Sequence, residues 1–110
     1  MFNQGDILIV PFPFSDLSTI RQRPVLVLSN SIYNNHSEDI VTCGITSNLK
    51  DTDYSILIDN MNLLEGNLAI KSKIKADKIF TLHKNIVIKK IGRLNQETLK
   101  KVKSEIYKIM

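Results

Sequence analysis

The chain has no tryptophan, one cysteine, three prolines and four glycines in 110 residues. Cys43 stands alone, which excludes an internal disulfide and a thiolate metal site and suits a reducing compartment. It reads instead as a small core residue on a strand. The four glycines are scattered, so there is no glycine loop to cradle a phosphate, and no serine sits in a Gly-x-Ser-x-Gly elbow. Nor is there metal-ligand spacing, because His36 and His83 are far apart and neither lies in a His-x-x-x-His or cysteine-rich context. Long apolar runs are missing too. The N-terminal run is preceded by Asp6 and broken by Pro11 and Pro13, so neither a signal peptide nor a membrane span is expected and the protein should stay in the cytoplasm.

What is present has the balance of one compact globular domain over residues 1–110, with 43% hydrophobic and 24% charged residues. The charge is unevenly spread. Residues 1–70 carry three basic groups against eight acids (net −5), whereas residues 71–110 carry twelve against three (net +9). A basic C-terminal part suits a polyanion such as nucleic acid, an acidic peptide, or simply a lysine-coated surface kept for solubility.

Hydrophobic periodicity predicts a mainly β (α+β) chain. Asp6–Phe12 reads as a first strand ending at its prolines, with Phe12 and Phe14 on one inward face. Ser15–Gln22 is polar and turn-rich, an exposed loop expected to lie over Arg23. Pro24 biases Arg23 toward extended geometry, and Val25–Leu28 continues as a strand. Ser29–Glu38 reads as irregular, Asp39–Thr46 as a third strand with a bulge or close approach at Gly44, and Tyr54–Ile58 as a short fourth. Met61–Glu65 suggests a helical turn stopped by Gly66. Leu68–Ile74 alternates most clearly, with Leu68, Ile70, Ser72 and Ile74 on one face and Lys71, Lys73 and Lys75 on a wet one. Ile79–Leu82 and Ile86–Gly92 flank a turn at His83–Asn85. The period then changes: Leu99, Val102, Ile106 and Ile109 share a helical face, Asn95 is a natural N-cap, and Leu94 and Leu99 fit a hydrophobic staple. Short strands and one terminal helix describe a small SH3-like barrel with a helix at its side.

Five residues have types that suit phosphate chemistry if the fold gathers them: Arg23, Thr46, Ser47, Lys75 and Asp77. Each also has a plain structural reading. Arg23 can be a strand-edge residue, Thr46 and Ser47 can close a turn, and Asp77 can pair with Lys75 or Lys78. His36 and His83, both in predicted turns, are not expected to form a two-histidine site.

The segments Gly5–Ser18, Arg23–Ser29, Ile45–Ser47, Asp77–Leu82 and Ile91–Leu94 resemble, in order and spacing, the MazF/PemK-like toxin endoribonucleases of toxin–antitoxin systems. The resemblance spans nearly the whole chain. It implies a MazF/CcdB-like small barrel with a C-terminal helix, a homodimer without cofactor, and an mRNA interferase neutralised by a cognate acidic antitoxin. The implied activity is metal-independent cleavage of single-stranded RNA, in which the ribose 2′-hydroxyl attacks phosphorus to give a 2′,3′-cyclic phosphate. By the same resemblance Arg23, Thr46 and Asp77 are catalytic, Ser47 and Lys75 contact RNA beside them, and Asp16 is the first loop's candidate. With few aromatics to stack on bases, phosphate contacts from Lys71, Lys73 and Lys75 are expected to dominate RNA affinity. Lys75 stands where members that use the acid carry arginine, and Asp16 is offset from the loop glutamate or histidine of some members. A non-catalytic member of the same fold, a CcdB-like gyrase poison or an inactive binder of RNA or antitoxin, is the alternative.

Overall fold

The computed structural model describes residues 2–13, 20–50 and 53–110. Asp16, Phe14 and most of the expected first loop lie outside them. The elements run β1 (Asp6–Pro13), β2 (Ile20–Val27), α1 (Ser31–His36), β3 (Asp39–Thr46), β4 (Ser55–Ile58), β5 (Leu63–Gly66), β6 (Ser72–His83), β7 (Lys89–Leu94) and α2 (Gln96–Ile109). Among the described residues the strands form one curled antiparallel sheet in the order β4-β6-β3-β2-β1-β7-β5. The expected small barrel-like sheet with a terminal helix is therefore present.

Alternation on the central strands fills two cores. Ile7, Leu26, Cys43, Ile45, Ile58, Ile74 and Leu94 pack with Val102 of α2 on one face. Leu8, Val10, Val25, Val27 and Ile40 fill the other, covered by Phe2, Phe80, Leu82 and Val87. Both faces of β1–β3 are thus dry, which explains why these strands read as near-continuous apolar runs. Cys43 is fully buried, and burial pushes its thiol up to about 12, as a core role requires.

Asn95 caps α2 as expected, its side chain accepting from the Thr98 amide at 2.8 Å. Leu99 and Val102 are buried, each contributing roughly 2 kcal/mol of transfer free energy. The apolar stripe outruns the sheet at Ile109, which is half exposed.

Four expectations need correction. Ile20–Gln22 belong to β2 rather than to the loop, because they pair with Pro11–Pro13 of β1. The expected irregular stretch contains α1, nucleated by Asn30, which accepts from the Tyr33 amide, and by buried Asn34, which bonds the carbonyls of Phe2 and Ser29. The helical turn expected near Met61 is a 3₁₀ turn at Asn60–Asn62 capped by Asp59, and β5 follows it. Gly66 does not stop a helix; it has φ +89° and lies so close to β7 that a Cβ would meet the Ile91 carbonyl oxygen at 2.2 Å. Finally, the alternating segment around Leu68 becomes strand only from Ser72; Lys73 and Lys75 of its lysine face are covered, 5% and 9% exposed, whereas Lys71 stays exposed and so does Ile70, expected on the inward face.

Asp6, fully buried at the start of β1, ties that strand to β7. Its carboxylate accepts from Arg93 Nε at 2.9 Å and the Asn3 amide at 2.8 Å, with Lys90 Nζ at 3.3 Å. Glu65 of β5 completes the cluster, 2.7 Å from Lys90. The hydrogen bond and charge of Lys90, helped by Arg93, hold Glu65 below the usual carboxylate range. Replacing Arg93 by methionine leaves the buried carboxylate with the Asn3 amide and, as its remaining cation, Lys90 at 3.3 Å, and we expect a loss of about 3 kcal/mol in urea unfolding. The Glu65 contribution is present above the ordinary glutamate value of about 4.3 and is lost as pH falls through the lowered folded value. The gap in thermal midpoint between the wild type and Glu65→Gln should accordingly close on acidification through that window.

Candidate functional site

One irregularity within the β3–β6 pair creates the site. Up to Lys75, β6 pairs residue for residue with β3: Thr46 with Lys73, Ile45 with Ile74, Gly44 with Lys75. The next pair is Cys43 with Ile79. Ala76, Asp77 and Lys78 therefore bulge from the ladder, as the Gly44 signal suggested, though the extra residues are on the partner strand. Ala76 is fully buried and its N–H donates to the Tyr54 carbonyl at 2.9 Å, while Asp77 and Lys78 are exposed. Tyr54 adopts a left-handed backbone (φ 51°) to offer that carbonyl.

An open hollow of about 590 Å³ lies against the bulge. Its lining brings together Arg23 of β2, Thr46 at the end of β3, and Lys75 and Asp77 of β6, with Pro24, Ile79 and Phe80 supplying apolar surface. All three residues expected to be catalytic meet there. Lys75 joins them from the strand centre, between Gly44 and Ser55. Ser47 does not line the hollow. Lys73 does not either; it is buried, and its Nζ donates to the Leu49 carbonyl at 2.6 Å.

Thr46 uses its hydroxyl oxygen to accept the Asn48 amide at 3.1 Å, and Asn48 Oδ1 accepts the Lys50 amide at 3.1 Å. The turn reading and the site reading of Thr46 hold together, because an oxygen fixed as acceptor still has its O–H proton to donate. Asn48, Lys78 and Phe80 also line the hollow and were missed as site residues. Asn48 had a signal, since an asparagine two residues after a strand-end threonine favours a side-chain-closed turn. Lys78 had none without the bulge.

Among the described residues, three cations (Arg23, Lys75, Lys78) and one carboxylate (Asp77) line this hollow. Such a lining suits an anion, with apolar surface beside it for a planar group. His36 and His83 are absent from it. They share a second hollow of about 370 Å³ at the other end of β3, where His83 Nε2 lies 3.6 Å from Glu38.

A family model described as "PemK-like, MazF-like toxin of type II toxin-antitoxin system" matches residues 3–110. No curated protein matches the sequence. Among solved structures the chain is similar to MazE–MazF from Deinococcus radiodurans, with TM-score 0.80 and 17% identity over 98% of this chain and 94% of that one. It is similar also to an endoribonuclease in complex with its cognate antitoxin from a Mycobacterial species, with TM-score 0.78 and 19% identity over 98% and 93%. The Mycobacterium tuberculosis toxin MazF-mt6 gives 0.70 and 19% over 92% and 93%. At such identities the likeness speaks for the fold.

A Cβ on Gly44 would meet Lys78 Cβ at 3.8 Å and Phe80 Cε1 at 3.9 Å, ordinary contacts, at the wall of the hollow. Gly44→Ala should therefore fold with a thermal midpoint within a few degrees of the wild type while adding a methyl group to the wall of the hollow. A fluorescence-anisotropy titration with a short single-stranded oligonucleotide should report about threefold weaker binding, roughly 0.6 kcal/mol; unchanged affinity would place the ligand elsewhere.

Proposed function

The chain belongs to the PemK-like, MazF-like toxin family of type II toxin–antitoxin systems, and from that premise we propose that it is a metal-independent endoribonuclease. It cuts single-stranded RNA at selected sequences, acts as a homodimeric single-domain toxin in the cytoplasm, and is silenced by a cognate acidic antitoxin. The observation that carries this reading is the convergence of Arg23, Thr46, Lys75 and Asp77, from three strands, on one solvent-reachable hollow. The names of two similar structures support it: one is an endoribonuclease with its cognate antitoxin, the other a MazE–MazF complex.

The reaction asks for three services: a group to take the 2′-hydroxyl proton, donors for the charge that builds on the pentacoordinate phosphorus, and a proton for the departing 5′-oxygen. Guanidinium and ammonium have no acceptor, and the Thr46 oxygen already accepts the Asn48 amide. Among the described residues Asp77 is therefore the group in the hollow suited to take the 2′ proton as that oxygen bonds to phosphorus. Arg23 spans two non-bridging oxygens, Lys75 adds a compact point charge in place of the family's arginine fork, and the Thr46 O–H donates a further bond. The P–O5′ bond breaks with its electron pair on the 5′-oxygen, which takes a proton from solvent. A single strand is needed, because A-form pairing holds the 2′-hydroxyl out of line with the leaving oxygen and hides the bases.

Incubation with single-stranded RNA in EDTA, followed by end mapping, tests the whole reading. We expect 5′-hydroxyl and 2′,3′-cyclic phosphate ends, and Arg23→Ala should slow cleavage about 10²- to 10³-fold while its circular dichroism matches the wild type. Uncut RNA together with inhibited gyrase would favour the non-catalytic alternative, and full activity in folded Arg23→Ala would remove Arg23 from the mechanism.

A further inference from the structure

Lys73 is a lysine in a place where lysine is not expected. It lies in β6 between Thr46 of β3 and Leu57 of β4, and it is 5% exposed. An ammonium withdrawn from water needs compensating bonds, and a charge-assisted bond to a carbonyl oxygen is a strong one. Lys73 makes such a bond at 2.6 Å to the carbonyl of Leu49.

Leu49 sits inside the short segment that leaves β3. Residues 47–50 are exposed, and Leu49 itself keeps 40% of its surface in water. Apolar burial therefore does little to fix this segment. Hydrogen bonds hold it instead: the Asn48 amide to Thr46 Oγ1, the Lys50 amide to Asn48 Oδ1, and the Leu49 carbonyl to Lys73. The first two are internal to the segment and the third ties it to the sheet. At its start stands Thr46 and in its middle Asn48, both lining the hollow.

We propose that Lys73 is a positioning residue: its buried ammonium anchors the Leu49 carbonyl and thereby fixes the Thr46 hydroxyl and the Asn48 side chain in the hollow, without touching RNA. The part concerning catalysis rests on the nuclease reading above; the anchoring does not. Lys73 thus leaves the class of phosphate contacts expected for it from the wet-face pattern and acts one step behind the site.

A phosphate contact and an anchor predict different numbers. Removing a phosphate contact weakens RNA binding and lowers the slope of log K against log salt by about 0.7 for a single strand. Removing an anchor leaves that slope unchanged and lowers kcat. Lys73→Met and Lys73→Arg should be purified and compared with the wild type in three measurements. In amide hydrogen exchange, Asn48 and Lys50 should exchange at least about tenfold faster in Lys73→Met, with Val25 and Leu26 of the sheet centre unchanged, since segments open locally when their own bonds are lost. In cleavage, kcat should fall about 10- to 100-fold with KM within about threefold, the pattern of a group acting on transition-state geometry. Lys73→Arg, which keeps a charged donor, should restore most of both. Should Lys73→Met not fold, Lys73→Gln carries the same comparison with a neutral donor.

Unchanged exchange at Asn48 and Lys50, or a reduced salt slope with normal kcat, would overturn the proposal. If the wild type leaves RNA uncut, the nuclease reading fails separately, and the exchange data still decide whether Lys73 anchors the segment.

Discussion

The site depends on three residues of β6 that have no partner on β3. With the pairing of Gly44 to Lys75 continued in register, Asp77 would lie opposite Thr42, a fully buried position, and a carboxylate would enter the core without a counter-charge. The bulge puts Phe80 there instead, with its carbonyl accepting from the Thr42 hydroxyl at 2.9 Å. Because three is odd, the bulge also inverts the faces of the strand. Ile74 packs toward α2, whereas Phe80 and Leu82, also even-numbered, pack into the opposite core. One irregularity thus completes the second core and turns an acid and a lysine outward beside the end of β3.

Holding the bulge costs backbone strain, and the fold meets that cost locally. Tyr54 in the left-handed region is unfavourable by about 1 kcal/mol. Its carbonyl in return satisfies the Ala76 amide, which would otherwise be buried beside a side chain of zero exposure. Behind this stand β1, β2 and β3, dry on both faces. A scaffold packed on both sides can fix Arg23 and Thr46 from neighbouring strands, while the residues that meet a ligand project from its rim.

What the sequence made legible follows from this division. The central strands were readable because alternation and continuous apolar runs report burial, and α2 was readable because its period and its Asn95 cap agree. Arg23, Thr46 and Asp77 could be named from the family resemblance, and their meeting depends on register that composition does not encode. The face of Lys73 and Lys75 was misread for the same reason: alternation says which residues share a face, not whether a loop carbonyl or a hollow later covers it. The six-residue α1 was hidden because part of its stability comes from Asn34 bonding the distant Phe2 carbonyl, a contact made only after the chain has folded. Asn48 and Lys78 went unnamed because one depends on a turn and the other on a bulge.

The charge pattern changes meaning once it is folded. Linear counting gave residues 71–110 a net charge of +9, but several of those cations are committed to structure. Lys90 and Arg93 neutralise Asp6 and Glu65, Lys108 pairs with Glu105, and Lys73 holds a loop carbonyl. On the proposed reading the exposed lysines on α2, Lys100, Lys101 and Lys103, would meet a polyanion through solvent, where screening over about 8 Å at physiological salt leaves them a part in encounter more than in grip. On the proposed nuclease reading grip belongs to the hollow, one of whose cations, Arg23, comes from the acidic part of the chain, and a substrate phosphate is selected there by the local surplus that β2 and β6 assemble around Asp77. Raising salt should on this view erode association well before it disturbs the geometry of a strand already seated.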